Sequence, residues 1–290
     1  MSCFVHDLAF ESPSVGVKAL RCWSPRDSVG HEHEYPADRI SLVRAGVFAR
    51  TIAGRRVVAD PTQVLFVNRG DVHRFTYPLD GGNCCTVLEP GEETLAELRW
   101  CVDPDATRFA TDQRCVPIAV ARVHHELLRG IAATRREPLA VEEVALELCR
   151  ALVALGQRPD ANPRGRSRAR AAGRGRRIVE EVRLVLNARI DRPPTLTMLA
   201  RAMRCSPYHL SRLFRTHAGM PMRAYVAALR TTEAARWLRE GATDLGQLAL
   251  ELGYYDHAHL TRAFTATWGC SPSRFRQAAC ARRYHPGGGA

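Results

Sequence analysis

Two arginines, Arg212 and Arg262, occupy equivalent positions in a segment that occurs twice in this sequence, at an offset of 50 residues. Residues 209–214 read His-Leu-Ser-Arg-Leu-Phe, and residues 259–264 read His-Leu-Thr-Arg-Ala-Phe. A guanidinium group presents a planar fork of donors that matches the edge of guanine or the oxygens of a phosphate. The chemistry expected of these two residues is therefore hydrogen bonding to a nucleic acid.

Each arginine is predicted to lie on the second helix of a helix-turn-helix unit. Apolar residues at three- and four-residue spacing form a stripe on the first helix of each copy. Ser206 and Pro207 then supply a capping hydroxyl and a first-turn proline in the first copy, whereas Gly253 permits the turn and Asp256 caps the helix in the second. The stripes consist of Leu196, Leu199, Ala200 and Met203 in the first copy and Leu245, Leu248, Ala249 and Leu252 in the second.

The burial pattern decides which side chains of the second helices are free to meet a ligand. Apolar residues at positions 210, 213 and 214 and again at 260, 263 and 264 are expected to face inward. A helix of this kind fits the major groove of DNA, which is about 12 Å wide. A long periodic helix from Pro221 to Arg239 is expected to hold the two units at a fixed separation. The predicted DNA contacts are Tyr208, Ser211, Arg212 and Arg215 in the first copy and His257, Thr261, Arg262 and Thr265 in the second, where Ala258 also faces outward.

The distribution of charge indicates the same half of the chain as the part that binds a nucleic acid. The 290 residues carry 42 Lys and Arg against 30 Asp and Glu, a formal net charge of +12. Residues 158–290 have a net charge of +15 and residues 1–157 one of −3, so a polyanion is expected to bind the C-terminal half. Residues 157–177 contain eight arginines, one acid, two prolines and three glycines. Residues 157–175 are therefore predicted to be a flexible linker, either a solvated tether or one that adds phosphate contacts.

The N-terminal half alternates short apolar runs with turn residues, which is typical of a β-sandwich or barrel. The apolar period changes at Ile118, where the first of two amphipathic helices begins. The two helices are joined at Glu137-Pro138. The expected fold class is therefore α+β in two domains, a β-barrel with a helical hairpin followed by an all-α domain. The predicted strands are Arg39–Val43, Val47–Ile52, Arg56–Val58, Val64–Val67 and Cys85–Leu88.

Several classes of protein are excluded by composition. The chain is 46% hydrophobic and 25% charged, as globular proteins are, and it has no run of about 18 apolar residues and no leader-like N-terminus. We therefore expect a cytoplasmic location and no membrane partner. The ten cysteines include no Cys-x-x-Cys pair, and we interpret most of them as buried structural thiols.

Over about residues 176–276 the sequence resembles the AraC/XylS family of bacterial transcription regulators. The resemblance implies a seven-helix domain with two helix-turn-helix readers, binding to double-stranded promoter DNA, and contact with RNA polymerase, most often as an activator. Tyr254 stands where phenylalanine is usual, and Ala258 where a polar residue is common. The matching motifs are Leu199-Ala200, Ser206-Pro207, residues 210–214, Gly219-Met220-Pro221, Arg230, Ala234-Ala235, Leu248-Ala249, Gly253-Tyr254, residues 262–264 and residues 269–276.

The resemblance also implies a cupin-like sensor barrel in the N-terminal half. His31, His33, Asp38 and His73 approximate the metal-cupin pattern, whose nitrogen and oxygen donors suit Fe, Mn, Ni or Zn, although Asp38 replaces the usual glutamate. The prediction that we favour is a pocket for an unknown small molecule, lined partly by His31, His33 and His73, with no metal or other cofactor. A metal site, and a barrel that only dimerises or contacts another protein, are the alternatives.

These observations predict a non-enzymatic, homodimeric transcription regulator controlled by a small molecule. Its expected parts are a sensor and dimerisation domain (1–156), the linker (157–175), a DNA-binding domain (176–283) and a tail (284–290). The alternatives are a metal-cupin enzyme fused to a DNA-binding module, a ligand-independent regulator and a nonspecific architectural protein. A repair methyltransferase, which shares this DNA-binding unit, is disfavoured because its cysteine zinc site and active-site cysteine motif are absent.

Overall fold

The computed structural model describes residues 3–133, 137–158 and 166–280, and its N-terminal part forms two antiparallel sheets. The strands are β1 Cys3–Glu11, β2 Val15–Trp23, β3 Ser28–Glu34, β4 Arg39–Gly46, β5 Phe48–Ile52, β6 Arg55–Ala59, β7 Gln63–Val67, β8 Val72–Tyr77, β9 Asn83–Pro90 and β10 Gln113–Cys115. Six of them pair in the order β1-β2-β9-β4-β7-β10, and four pair in the order β3-β8-β5-β6. This two-sheet architecture confirms the predicted β domain in the N-terminal half.

Three helices cover the outer face of the larger sheet: α1 Glu92–Trp100, α2 Ile118–Ile131 and α3 Pro138–Gly156. Side chains alternate along the strands, so that Ile40 and Leu42 of β4 pack in a core with Leu127 of α2 and Leu148 of α3. Val43 of the same strand belongs to a second core, which lies between the two sheets. The larger sheet is thus buried on both faces, and the predicted helical hairpin is confirmed.

The C-terminal part is all helical: α4 Arg166–Ala188, α5 Leu196–Ala202, α6 Pro207–Ala218, α7 Met222–Glu240, α8 Leu245–Glu251, α9 His257–Trp268 and α10 Pro272–Cys280. It contains two separate apolar cores. The first forms around Leu210, Phe214 and Tyr225, and the second around Leu260, Phe264 and Phe275. Helix α7 enters both cores, which confirms that this helix connects the two units.

The predicted flexible linker is wrong over residues 166–175, because helix α4 begins at Arg166. Arginine and alanine are strong helix formers, and in this segment they outweigh two glycines that disfavour a helix. Residues 159–165 lie outside the described residues. Within the described ranges, no helix is long and apolar enough to cross a membrane.

A buried ion pair joins the β domain to the helical domain. Asp60, in the turn between β6 and β7, accepts hydrogen bonds from the guanidinium of Arg183 on α4 and from the hydroxyl of Tyr225 on α7, the latter at 2.6 Å. The side chains of Asp60 and Arg183 are 0% and 3% exposed. The amide and hydroxyl of Thr62 also donate to this carboxylate, at 2.9 and 2.6 Å. The carboxylate is therefore satisfied from both domains.

Candidate nucleic-acid interface

The two recognition helices, α6 and α9, begin at the caps that the sequence predicts. The Ser206 hydroxyl accepts a hydrogen bond from the amide of His209 at 3.2 Å, and the Asp256 carboxylate accepts one from the amide of His259 at 2.7 Å. Each cap satisfies an amide that has no partner within its helix. The N-terminal end of each recognition helix is consequently fixed by its own side chain.

The turns before these helices use a left-handed residue at equivalent positions. Arg204 has a φ of 52° in the first unit, and Gly253 has a φ of 73° in the second. A Cβ on Gly253 would lie 1.9 Å from the carbonyl oxygen of Asp191 and 2.4 Å from the guanidinium of Arg230. Only glycine fits this position, because the backbone approaches a neighbouring loop as well as adopting a positive φ.

The side chains that face away from the two cores are largely those predicted to contact DNA. Tyr208 is 81% exposed, and the others are exposed except Thr261, which is half-buried with its hydroxyl 3.4 Å from Nε2 of His257. The exposed set therefore comprises Tyr208, Ser211, Arg212, Arg215, His257, Arg262 and Thr265.

The arginines of this surface are available to an anion. Within the ranges that the structure describes, Arg212, Arg215 and Arg262 make no ion pair with a carboxylate. Exposed guanidinium groups without acidic neighbours bind phosphate or guanine without first breaking a protein contact. The assignment of each residue to a base or to a phosphate stays a prediction.

Tyr255 belongs to the same surface and was missed from the sequence. It is 87% exposed and directly precedes Asp256, the cap of α9. Its neighbour Tyr254 is instead buried, with its ring edge-on to His259 at 5.2 Å. The two adjacent tyrosines face opposite ways, and residue type alone does not show which one is exposed.

The predicted histidine set is partly brought together in the β domain. His33 on β3 lies directly opposite His73 on β8 in the sheet register. The side chain of His31 lies outside the described residues. Asp38 is engaged elsewhere, because its carboxylate accepts from the amide of Arg69 at 3.0 Å and from the guanidinium of Arg99 at 3.4 Å. No group of three or more metal-binding side chains occurs among the described residues.

His73 is fully buried and electrostatically disfavoured as a cation. It is 0% exposed, its ring lies 5.4 Å from that of Tyr35, and neither ring nitrogen has a hydrogen-bond partner among the described residues. Burial, with the nearby charge of Arg50, lowers the pKa of His73 to about 4. His73 is therefore a neutral ring at physiological pH.

Replacing His73 by Phe should remove part of the acid sensitivity of the fold. The unfolded chain takes up a proton on the His73 ring near pH 6.5, and the folded chain does so only near pH 4. The stability linked to the neutral His73 ring is therefore fully present above pH 6.5 and is lost as the pH falls toward 4. From pH 7 to 5 this loss is about 2 kcal/mol. Denaturant unfolding at both pH values should show a loss about 2 kcal/mol larger in the wild type than in H73F. Equal losses would contradict the prediction, and His209→Phe at an exposed site is the matched control.

The β domain contains a small cavity between its sheets. Its volume is about 50 Å³, and its walls include Tyr35, Phe48, Arg50 and Phe75. His33 and His73 do not line it, although the sequence predicted them at the ligand pocket. Pockets for organic ligands occupy roughly 300–1,000 Å³, so this cavity is too small for one in the present conformation.

The helices and their exposed faces define a double helix-turn-helix domain. Residues 199–278 match the family model described as helix-turn-helix domain. The chain is 32% identical over 99 residues to the transcriptional regulator YfiF of Bacillus subtilis, which is 34% of this chain and 31% of that protein. It is 28% identical over 100 residues to the right origin-binding protein of Escherichia coli, covering 34% and 35% of the two chains. Residues 199–278 therefore form a helix-turn-helix domain of the type found in these transcriptional regulators.

The chain spans about a third of the length of these relatives. Apo ToxT from Vibrio cholerae aligns over 93% of this chain and 99% of its own, with 12% identity and a TM-score of 0.39. An AraC-type regulator from Chromobacterium violaceum aligns over 36% and 93%, with 23% identity and a TM-score of 0.34. TM-scores of this size do not establish a common arrangement of the whole chain.

Proposed function

We propose that this protein is a sequence-specific transcription regulator that reads two successive major-groove segments with α6 and α9. One observation carries the proposal: two capped helices, joined through one rigid helix, expose the same arginine at an offset of 50 residues. Recognition helices of such units are spaced by about one helical turn of DNA, ~34 Å. The two copies are therefore expected to bind one face of the same duplex.

Footprinting of the full-length protein on its best site tests this proposal. Two protected segments per protomer, about one helical turn apart, are the expected result. A single protected segment, or equal binding to unrelated duplexes of the same length, would contradict it. Contact with RNA polymerase, activation and a cytoplasmic location belong to the same proposal, and transcription in vitro from a promoter carrying the site tests the first two.

We further propose that a small anion, bound between the domains, controls the protein. A cleft of about 960 Å³ lies where β2, β4 and α2 meet α7. Two of the acids on its walls, Glu233 and Glu240, are already paired with Arg236. Arg44 and Arg239 form no ion pair with a carboxylate in the described parts of the chain.

Arg44 and Arg239 favour an anionic ligand because their positive charges repel each other where burial reduces screening by water. The Nε atoms of both are buried without a hydrogen-bond partner. Burial and the charge of Arg44 lower the pKa of Arg239 to about 10. Among the described residues, Arg44 donates to the Cys84 sulfur, at 2.9 Å, and to the Cys85 carbonyl, at 3.4 Å. A carboxylate or phosphate between the two guanidinium groups would offset this repulsion.

Replacing Arg239 by Met is expected to have two opposite effects. Without ligand it should raise the free energy of unfolding by up to about 1 kcal/mol, because the repulsion with Arg44 is removed. It should also abolish the stabilisation that a bound anion confers. Thermal unfolding with phosphate, citrate and a series of monocarboxylates measures both effects. A variant that is destabilised without ligand, or that responds to anions as the wild type does, would contradict the proposal; Arg150→Met, at an exposed site, is the control.

Homodimerisation through residues 120–152 stays a prediction. Most apolar side chains of α2 and α3 pack onto the larger sheet, and Ile118 and Leu139 are the large exposed exceptions on these two helices, at 44% and 69%. Light scattering at tens of micromolar tests the prediction directly. A non-enzymatic role likewise stays a prediction.

A further inference from the structure

The β domain contacts the C-terminal ends of both recognition helices. Cys115, the last residue of β10, donates from its sulfur to the carbonyl of Ala218, the last residue of α6, at 2.7 Å. Burial raises the pKa of the Cys115 thiol, which keeps the proton available for this bond. The contact continues at Gly219, where a Cβ would lie 3.7 Å from the Cys115 sulfur.

Arg122 of α2 makes the corresponding contact with α9. Its Nε donates to the carbonyl of Thr267 at 2.9 Å, and its Nη2 donates to that of Ala266 at 3.4 Å. Both carbonyls lie in the last turn of α9, where no amide of the helix can reach them. The positive guanidinium also suits the negative end of the helix dipole. Arg122 therefore caps the second recognition helix from the other domain.

His125, one turn further along α2, supports the same end of α9. Its ring stacks on Phe275 with centroids 4.1 Å apart, and it meets Trp268, the last residue of α9, edge-on at 5.7 Å. Burial lowers the pKa of His125 to about 3, so the ring is neutral and packs as an aromatic group. Arg122 and His125 thus hold α9 by hydrogen bonds and by packing.

These contacts matter because the two recognition helices belong to different cores, which are connected through α7. The β domain touches one recognition helix through β10 and the other through the first turns of α2, only seven residues later. It therefore bridges the two units at the ends remote from the base-reading N-termini.

We infer that Arg122 and Cys115 are positioning residues that set the spacing between the two DNA segments that the protein accepts. They act through α9 and α6 respectively and do not touch DNA themselves. This inference rests on the proposed reading of two major-groove segments. If it holds, loss of either contact should leave base preference within each segment intact and broaden only the distance between the segments.

The test is in vitro selection by the full-length protein from a library of random duplexes, run in parallel for the wild type, R122A and C115A. The wild type should select paired motifs at one spacing. R122A and C115A should select the same two motifs. In both variants, the fraction of selected duplexes whose motif spacing differs by one base pair from the wild-type spacing should be at least threefold higher than for the wild type. R122K keeps the charge but loses the two-point hydrogen bond, so it should broaden the spacing too. Arg150→Ala removes an exposed arginine from α3 and should match the wild type.

The outcomes separate the inference from the proposed function. Identical spacing distributions for the wild type, R122A and C115A would overturn the inference and leave the proposed function standing. Selection of a single unpaired motif by the wild type would overturn both. A broadened motif in R122A at unchanged spacing would also overturn the inference, because it would show that Arg122 affects base reading.

Discussion

Replacing Arg212 or Arg262 by Ala should weaken binding to the preferred site by ~1 to 3 kcal/mol each, which is roughly 5- to 150-fold in Kd. Both side chains are exposed at equivalent positions of the recognition helices and are not held by an acid among the described residues. An arginine that contacts guanine makes two hydrogen bonds to one base, so its loss should relax preference at a single position of the site.

Affinity measured on the preferred site and on point variants of it distinguishes the two modes of contact. An arginine that binds phosphate should, when lost, weaken all sequences alike and reduce the slope of log affinity against log salt by about 1. Arg150→Ala removes the same charge far from either recognition helix and is the matched control. Unchanged affinity for R212A and R262A, in protein that unfolds normally, would refute the assignment of α6 and α9 as readers.

Asp60→Ala is expected to reduce the free energy of unfolding by about 3–5 kcal/mol, since it leaves the buried charge of Arg183 without its partner. The carboxylate is 0% exposed and also accepts from Tyr225 and Thr62, so further donors lose their acceptor. The effect should exceed that of any exposed substitution proposed above, because water cannot replace the lost bonds in a closed site.

Denaturant unfolding of single and double variants identifies the cause of this loss. If the cost comes from the unpaired charge, D60A combined with Arg183→Met should be about 2 kcal/mol less destabilised than the sum of the two single variants. D60N, which keeps the shape and one acceptor oxygen, should lie between the wild type and D60A. Additive losses in the double variant would show that the two side chains do not act as a pair.

The helical domain could be predicted from the sequence because its signals are local. Ser206 and Asp256 cap helices that begin one residue later, and the apolar spacing at 210, 214, 260 and 264 depends on a single helical period. The start of α4 is also a local feature, but the glycine and proline residues near it predict a linker, whereas the helix preference of arginine and alanine prevails in the structure. Its prediction as a linker failed for that reason.

Contacts between distant segments could not be predicted in this way. Asp60 and Arg183 are 123 residues apart, and nothing in the sequence near either residue specifies the other. The strand β3, Ser28–Glu34, is not among the strands predicted from apolar runs, because its polar sequence lacks the apolar alternation of a half-buried strand. Arg122 lies on a predicted helix, yet its role depends on how that helix meets α9, which is a property of the tertiary fold.

The ion pair between Asp60 and Arg183 limits how freely the two halves of this protein can be recombined. This helical domain, fused to a foreign N-terminal domain, would carry Arg183 and Tyr225 without their acceptor. The β domain of this protein, fused to foreign helices, would retain Asp60 without these two donors. A functional chimera therefore needs both sides of the junction exchanged together, or both made apolar. Residues 60, 183 and 225 are therefore expected to be exchanged together, although they lie far apart in the sequence.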